Sequence, residues 1–244
     1  MAQVTVKNKR KNMTDIHCHV LPYVDDGSDG IETSLSMLEQ QICQGVQNVI
    51  LTPHYRQGFY VAEDSELKAG FEELKGKVKE KGLDINIYLG REITVYTGLE
   101  EDIKQGKFLS LAGSKFVLLE FPYDTETDIE EICYKVKLCG YIPVVAHVER
   151  YSYFRSLEKV ERLKESGVVI QINASPIVKK SFSSENKFVK KLLKNKLVDI
   201  VASDFHSTRN NYFKEAYEKV KSKYKDYADL IFDLNPTHII KSAK

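Results

Sequence analysis

No stretch of this sequence comes near the roughly 18 to 20 consecutive apolar residues that a membrane-spanning helix needs, so contact with a bilayer would be peripheral. Cysteine is scarce and unpatterned: four residues, at 18, 43, 133 and 139, form no CxxC pair and no regular framework. The first residues also lack the apolar core of a signal peptide. Both absences favour a reducing, cytoplasmic setting. Glycine (13) and proline (6) are too few for long disordered linkers. A net charge of +1 gives no general pull toward nucleic acid or membrane, so an anionic substrate must be held by local charge. A cysteine-based tyrosine phosphatase is excluded by arithmetic, because it requires an arginine at the sixth position after its cysteine. Those positions are Val24, Val49, Cys139 and Val145. The four cysteines read as core filler.

What is present is a repeat of short apolar runs bounded by turn signals. They are TDIHCH (14–19), NVILTPH (48–54), INIYLGRE (85–92), KFVLLEF (115–121), IPVVAH (142–147), VVIQIN (168–173) and VDIVAS (198–203). Stretches of helical period separate several of them: 32–45, 64–82, 128–140 and 186–196, the second and third ending in glycine as helix C-caps often do. Near-continuous apolar strands alternating with amphipathic helices imply a parallel sheet with covered faces, and seven such units favour a closed α/β barrel over an open sheet. The doubly wound alternative lacks its phosphate turn, since HVLPYVDDGSDG after the first strand is acidic where a GxGxxG loop would be neutral. The expectation is a polar, basic lead-in over 1–12 and a single barrel domain over 13–244.

The chain has six histidines, and two of them, His17 and His19, fall on alternate residues of the first strand. Side chains at i and i+2 of a strand share a face, about 6 to 7 Å apart, and two neutral imidazoles so placed can converge on one metal ion. The pair alone equally suits a strand end with two hydrogen-bonded histidines. The other strands decide. His54 ends the second, Glu92 follows the third, Glu120 ends the fourth, His147 ends the fifth, and Asp204 and His206 follow the seventh. In a (β/α) barrel the carboxyl ends of all strands open onto one face, which carries the chemistry. Burying so many ionisable groups together is costly unless they pair or coordinate metal. The sixth histidine, His238, falls in a terminal helix outside this set.

The blocks DIHCHVLPYVDDG, LTPHY, LGREI, FVLLEFP, AHVERY, QINAS and SDFH, in that order, resemble the PHP (polymerase and histidinol phosphatase) superfamily. They resemble most its branch of bacterial capsule-biosynthesis tyrosine-protein phosphatases of the CpsB/CapC type. The resemblance covers nearly the whole chain after residue 12. It implies a distorted (β/α)7 TIM-like barrel of the PHP type, three divalent metal ions with Mn favoured over Fe or Zn, and hydrolysis of phosphotyrosine by a metal-bridged hydroxide. It also implies a partner, the phosphotyrosine segment of a bacterial tyrosine kinase in capsule or exopolysaccharide synthesis. Carried over by position, His17, His19, Glu92 and Asp204 would hold the first metal; Glu92, Glu120 and His147 the second; Asp26, His54 and His206 the third. An acid at position 26 leans toward the capsule branch, because the histidinol-phosphatase-like relatives carry histidine there. Arg150 matches an expected phosphate ligand. Arg209 is assigned as a second, although it stands earlier than the family pattern places it.

Residue types support such chemistry. Phosphomonoesters hydrolyse very slowly unaided, and clustered divalent ions supply both a nucleophile at neutral pH and charge neutralisation. Imidazole and carboxylate donors without thiolate suit Mn, Fe or Zn. A planar guanidinium can hold phosphoryl oxygens bidentately where lysine cannot. Tyr23, Tyr55 and Tyr60 fall in loops near the mouth, as pocket walls or as ordinary loop packing. The competing readings are a small-molecule phosphatase of the histidinol-phosphate kind on the same metal centre, and an inactive kinase-docking scaffold. An amidohydrolase-type barrel is disfavoured, since Glu120 and Asn173 stand where that class wants a bridging lysine and a histidine.

Overall fold

The structure is a computed structural model describing residues 12–123, 125–179, 181 and 183–243; the expected lead-in over 1–12 lies outside these apart from the exposed Asn12. Among the described residues nine parallel strands are joined by helices. In order they are β1 (Met13–Cys18), α1 (Ile31–Cys43), β2 (Val46–Leu51), β3 (His54–Tyr55), α2 (Asp64–Lys81), β4 (Asn86–Leu89), β5 (Glu92–Thr94), α3 (Leu99–Lys104), β6 (Phe116–Glu120), α4 (Ile129–Leu138), β7 (Ile142–Val145), α5 (Leu157–Glu165), β8 (Val169–Asn173), α6 (Ser175–Val178), α7 (Ser184–Lys194), β9 (Ile200–Ala202), α8 (Phe213–Tyr224), α9 (Asp226–Asp229) and α10 (Asn235–Lys241). The seven expected strands are all present. The second and third are each broken in two, at Thr52-Pro53 and at Gly90-Arg91.

The breaks divide the sheet into β1-β2-β4 and β3-β5-β6-β7-β8-β9. Proline removes a ladder donor at the first break. At the second the chain passes so close to the 111 segment that a Cβ on Gly90 would lie 3.1 Å from the Leu111 Cα. The upper halves, β3 and β5, pair His54 with Glu92 in register. Between β9 and β1 the barrel closes through few bonds: the Asp204 amide donates to the His17 carbonyl at 2.9 Å and the His19 amide to the Phe205 carbonyl at 2.9 Å. The rest of that seam is a side chain. Asp15 accepts from the Ser203 amide at 3.0 Å, from the Ser203 hydroxyl, and from Gln41 at 2.7 Å.

Strand alternation sorts the core into two layers. Ile50, Phe116, Leu118, Val144, Ala146, Ile200 and Ala202 fill the barrel interior, plugged below by Leu111 and Ile239. Val49, Leu51, Val117, Leu119, Val145, Ile170, Ile172 and Val201 face outward into the helical layer. On β6 the inward row Phe116, Leu118, Glu120 thus climbs from apolar floor to carboxylate. Helices begin where local side chains satisfy free amides: Asp128, Ser156 and Ser183 each accept an amide three residues on. Helices α5 and α8, for which the runs gave no expectation, complete the outer layer.

Candidate metal centre

The expected ligands gather at one mouth of the barrel, at strand ends, at the starts of the short β3 and β5, and in the loop after β1. His17 and His19 end β1 with side chains wholly buried, and Glu92 is equally enclosed at the start of β5. His147 and Asp204 follow β7 and β9 in the left-handed backbone region, with φ of 32° and 48°, a conformation that costs a non-glycine residue roughly 1 kcal/mol or more. That twist turns both side chains back over the barrel mouth. Asp26 comes from the loop after β1, where the chain folds tightly onto itself: a Cβ on Gly27 would lie 2.0 Å from the His19 carbonyl oxygen.

The donors form one continuous cluster. Glu92 is its centre: Oε2 lies 3.1 Å from His17 Nε2, 3.4 Å from His19 Nε2 and 2.9 Å from His54 Nδ1, while Oε1 lies 3.0 Å from His147 Nε2. Asp204 Oδ1 is 3.7 Å from His17 Nε2, 3.6 Å from His19 Nε2 and 3.5 Å from His206 Nδ1. Glu120 stands 3.7 Å from His147, and Asp26 stands 3.7 Å from His54 and 3.5 Å from His206. Bonds of about 2.0 to 2.2 Å in tetrahedral or octahedral arrangement put neighbouring donor atoms roughly 3.0 to 3.5 Å apart, close to these spacings. His19 also approaches the group of Asp26, His54 and His206, all four offering donor atoms within 4.8 Å of one another; the sequence reading had placed it only with the first set.

The residues fit divalent ions by a second criterion. His54 Nδ1, Glu92 Oε2 and His206 Nε2 are buried atoms with no hydrogen-bond partner despite near neighbours, and such atoms are rare unless something else satisfies them. Charges follow the same pattern. Burial opposes ionisation of Glu92, but the imidazoles of His17 and His54 hold it well below the usual carboxylate range. Asp204 is likewise depressed against its burial by Arg150 and His17. Burial, His19 and Arg209 push His206 down to about 3, and burial with Arg150 lowers His147. The carboxylates are thus anionic and His147 and His206 neutral, while the carboxylates around them outweigh burial and raise His17 and His19; ligation would require those two to give up their protons to the incoming ion.

The sequence assigns no orienting role to the side chains that hold the ligands. Asp25, the first acid of VDDG, accepts from His19 Nδ1 at 2.7 Å and from the His54 amide at 3.0 Å. Gln171 Oε1 meets His17 Nδ1 at 3.2 Å and accepts the His147 amide at 2.9 Å. Asn173 donates to Asp204 at 2.9 Å, Thr94 donates to Glu120 at 2.7 Å, and the Tyr151 hydroxyl lies 3.2 Å from His147 Nδ1. Such partners fix the tautomer and direction of a ligating ring. The signal for two of them was available, since Gln171 and Asn173 are polar residues at inward positions of an otherwise apolar strand.

Above the cluster is a cavity of about 180 Å³ lined by Asp26, His54, Glu120, His147, Asp204 and His206, by Arg150, Arg209 and Arg56, and by Tyr60 and Tyr123. Arg150 and Arg209 both reach Asp204 Oδ2, at 2.5 and 3.1 Å, so the early position of Arg209 still delivers it to the mouth. Tyr60 stacks on His54 with ring centroids 5.7 Å apart. Tyr55 turns away to pack on Phe108 and Arg91, and the exposed Tyr23 does not line the cavity. Cys18 and Cys133 are core residues as expected, whereas Cys43 is exposed. His238 is exposed on α10, its ring edge-on to Phe116.

The chain is similar to known proteins along most of its length. The tyrosine-protein phosphatase CpsB of Streptococcus agalactiae is 33% identical over 240 residues, covering 94% of this chain and 99% of the relative. The tyrosine-protein phosphatase YwqE of Bacillus subtilis is 32% identical over 216 residues, covering 87% and 85%. A crystal structure from work on Bacillus subtilis YwqE and Streptococcus pneumoniae CpsB, described as unique metal-dependent tyrosine phosphatases, superposes with a TM-score of 0.87 at 28% identity, covering 95% and 96%. Residues 13–241 match the family described as "Capsular polysaccharide synthesis, CpsB/CapC", and the chain therefore belongs to the CpsB/CapC family.

Proposed function

We propose that the protein is a metal-dependent phosphotyrosine-protein phosphatase whose single barrel domain spans 13–244. The observation that carries this reading is the nine-donor cluster of His17, His19, Asp26, His54, Glu92, Glu120, His147, Asp204 and His206 beneath a mouth where Arg150 and Arg209 converge on Asp204. Three divalent ions would be held by the sets named from the sequence, with Mn ahead of Fe or Zn. When bound, such ions acidify water toward neutrality and polarise phosphoryl oxygens.

The chain's own residues do the rest. Glu92, with each oxygen turned to different imidazoles, is placed to bridge neighbouring ligand sets. Arg150 stays cationic because Asp204 and Tyr123 outweigh its burial, and its planar fork suits two phosphoryl oxygens. Arg209, about half exposed, adds charge from the outer side. A tyrosyl leaving group has a pKa near 10, so it departs toward the open mouth with less need of protonation than an alkoxide. The family points to the phosphotyrosine segment of a bacterial tyrosine kinase in capsule or exopolysaccharide synthesis as partner, and to a cytoplasmic site of action. No helix among the described residues is long and apolar enough to cross a membrane.

The test is hydrolysis of a phosphotyrosyl peptide by chelator-stripped protein with Mn²⁺, Fe²⁺ or Zn²⁺ restored, beside His17→Ala and His19→Ala and with histidinol phosphate as competitor substrate. Metal-dependent turnover of the peptide, lost in both variants, is the expected result. Turnover of histidinol phosphate alone would move the assignment to small-molecule chemistry. Stoichiometric metal binding with no turnover of either would leave a scaffold.

A further inference from the structure

Three arginines line the cavity, and two are engaged with Asp204. The third, Arg56, makes no ion pair among the described residues; its guanidinium lies 4.6 Å from the centroid of the Phe59 ring. Both belong to a small exposed hairpin at the mouth. Arg56 and Tyr60 exchange backbone hydrogen bonds at 2.9 Å in each direction, and Gly58 takes the left-handed turn with φ of 78°. The hairpin is anchored at its base by Arg91, a nearly fully buried side chain that pairs with Asp64 at 2.9 Å, donates to the Ala62 carbonyl and lies over the Tyr55 ring. Its outer face carries Phe59, 70% exposed, and Val61, 54% exposed. Its inner face carries Tyr60, whose ring lies 14° from parallel with His54 and borders the cavity.

We propose that the Arg56–Tyr60 hairpin is a substrate-specificity element: Tyr60 packs against the aromatic ring of the phosphotyrosyl group, and Arg56 takes the carboxylate of an acidic residue beside it in the peptide. The inference rests on the phosphatase reading above and deepens it. A phosphoryl group seated at the cavity floor by Arg150 leaves its aryl ring at the level of Tyr60, where offset stacking is favourable. The peptide on either side must then run over the rim, where Arg56 is the cation without a carboxylate.

The experiment uses the Mn-loaded protein, wild type and the variants Arg56→Glu, Tyr60→Leu and Tyr60→Phe. The substrates are two phosphotyrosyl peptides, flanked by glutamate or by lysine, together with p-nitrophenyl phosphate and an alkyl phosphate. Binding of the non-hydrolysable difluorophosphonate version of each peptide is measured in parallel. Arg56→Glu is expected to raise KM and Kd for the glutamate-flanked peptide by about tenfold, since it replaces an exposed attraction by a repulsion, and to favour the lysine-flanked one, with kcat and p-nitrophenyl phosphate turnover nearly unchanged. Tyr60→Leu is expected to narrow the preference for aryl over alkyl phosphates by roughly 2- to 10-fold, and Tyr60→Phe to restore it. Equal loss of kcat on every substrate would show that the hairpin only supports His54 and would overturn the proposal. Wild-type protein inactive on both peptides and p-nitrophenyl phosphate would overturn the phosphatase reading, and this inference with it.

Discussion

Replacement of Asp25 by alanine tests whether the cluster is a built site. The carboxylate is fully buried and accepts three hydrogen bonds: Oδ1 from the Gly27 amide at 3.0 Å, Oδ2 from the His54 amide at 3.0 Å and from His19 Nδ1 at 2.7 Å. Accepting from Nδ1 holds that proton in place and directs His19 Nε2 at Glu92, 3.4 Å away, so Nε2 is the atom left to ligate an ion. Despite burial, the charge on His19 draws the Asp25 carboxyl down to about 2, and burial of His19 is in turn outweighed by Asp25, which raises its pKa well above the ordinary value. Alanine leaves two buried amides and one imidazole without an acceptor. Breaking a buried charge pair costs about 3 to 5 kcal/mol, which contains the amide penalties of about 1 to 3 kcal/mol each. Loss of an orienting carboxylate weakens metal binding by about 10- to 100-fold. Urea denaturation of metal-free protein reads the first quantity, and titration of Mn²⁺ against a competing chelator reads the second. Asp25→Asn, which keeps one acceptor oxygen, should fall between. An Asp25→Ala protein with wild-type denaturation midpoint and wild-type metal affinity would refute the reasoning.

Gly27→Ala must displace the His19 carbonyl that its Cβ would meet at 2.0 Å. Overpacking of this kind costs about 3 kcal/mol or more, and a circular-dichroism melt with a parallel count of bound metal should show both stability and stoichiometry falling. Arg150→Lys retains charge but loses the planar fork, and kcat/KM for a phosphotyrosyl peptide should drop roughly 100-fold. Arg209→Lys, at a more exposed position, should cost about tenfold or less. Burial raises the Glu149 carboxyl to about 8. An acid raised in the folded state contributes stability that is present below its unfolded value of 4.5 and is lost as pH rises through 8. Glu149→Gln should therefore match wild type near pH 4 and exceed it by a few kcal/mol at pH 9 in chelator-treated protein; a pH-independent difference would contradict this.

Much of the site was legible because ligand chemistry and strand ends coincide in the sequence. His17 and His19 announce a shared face, and Glu120 and His147 close apolar runs whose inward positions they continue. The breaks carry breaker residues, Pro53 and Gly90, but one such residue near the end of an apolar run reads equally well as the strand's terminus, which hides the short second pieces. Yet these kinks produce the separate β3–β5 pairing that sets His54 opposite Glu92. Asp25 was overlooked for a different reason: adjacent acids in a loop have no periodicity to say which faces inward, and tertiary packing alone buries Asp25 and leaves Asp26 about half exposed. Arg209 was found from its type but not its spacing, since the turn after His206 shortens the path back to Asp204.

The seam between β9 and β1 has a consequence for synthesis. Asp15 and Ser203, which join it, are 188 residues apart, and the seam brings His17 and His19 to Asp204 and His206. A chain emerging from the ribosome carries its first two histidines long before the residues that complete their surroundings exist. Contacts of such separation form late and slowly. Until the last strand docks, Asp204 and His206 are missing from the cluster, and two of the three expected ligand sets are incomplete. Closure of the barrel is thus also the step that completes the donor sets, so full metal loading follows folding.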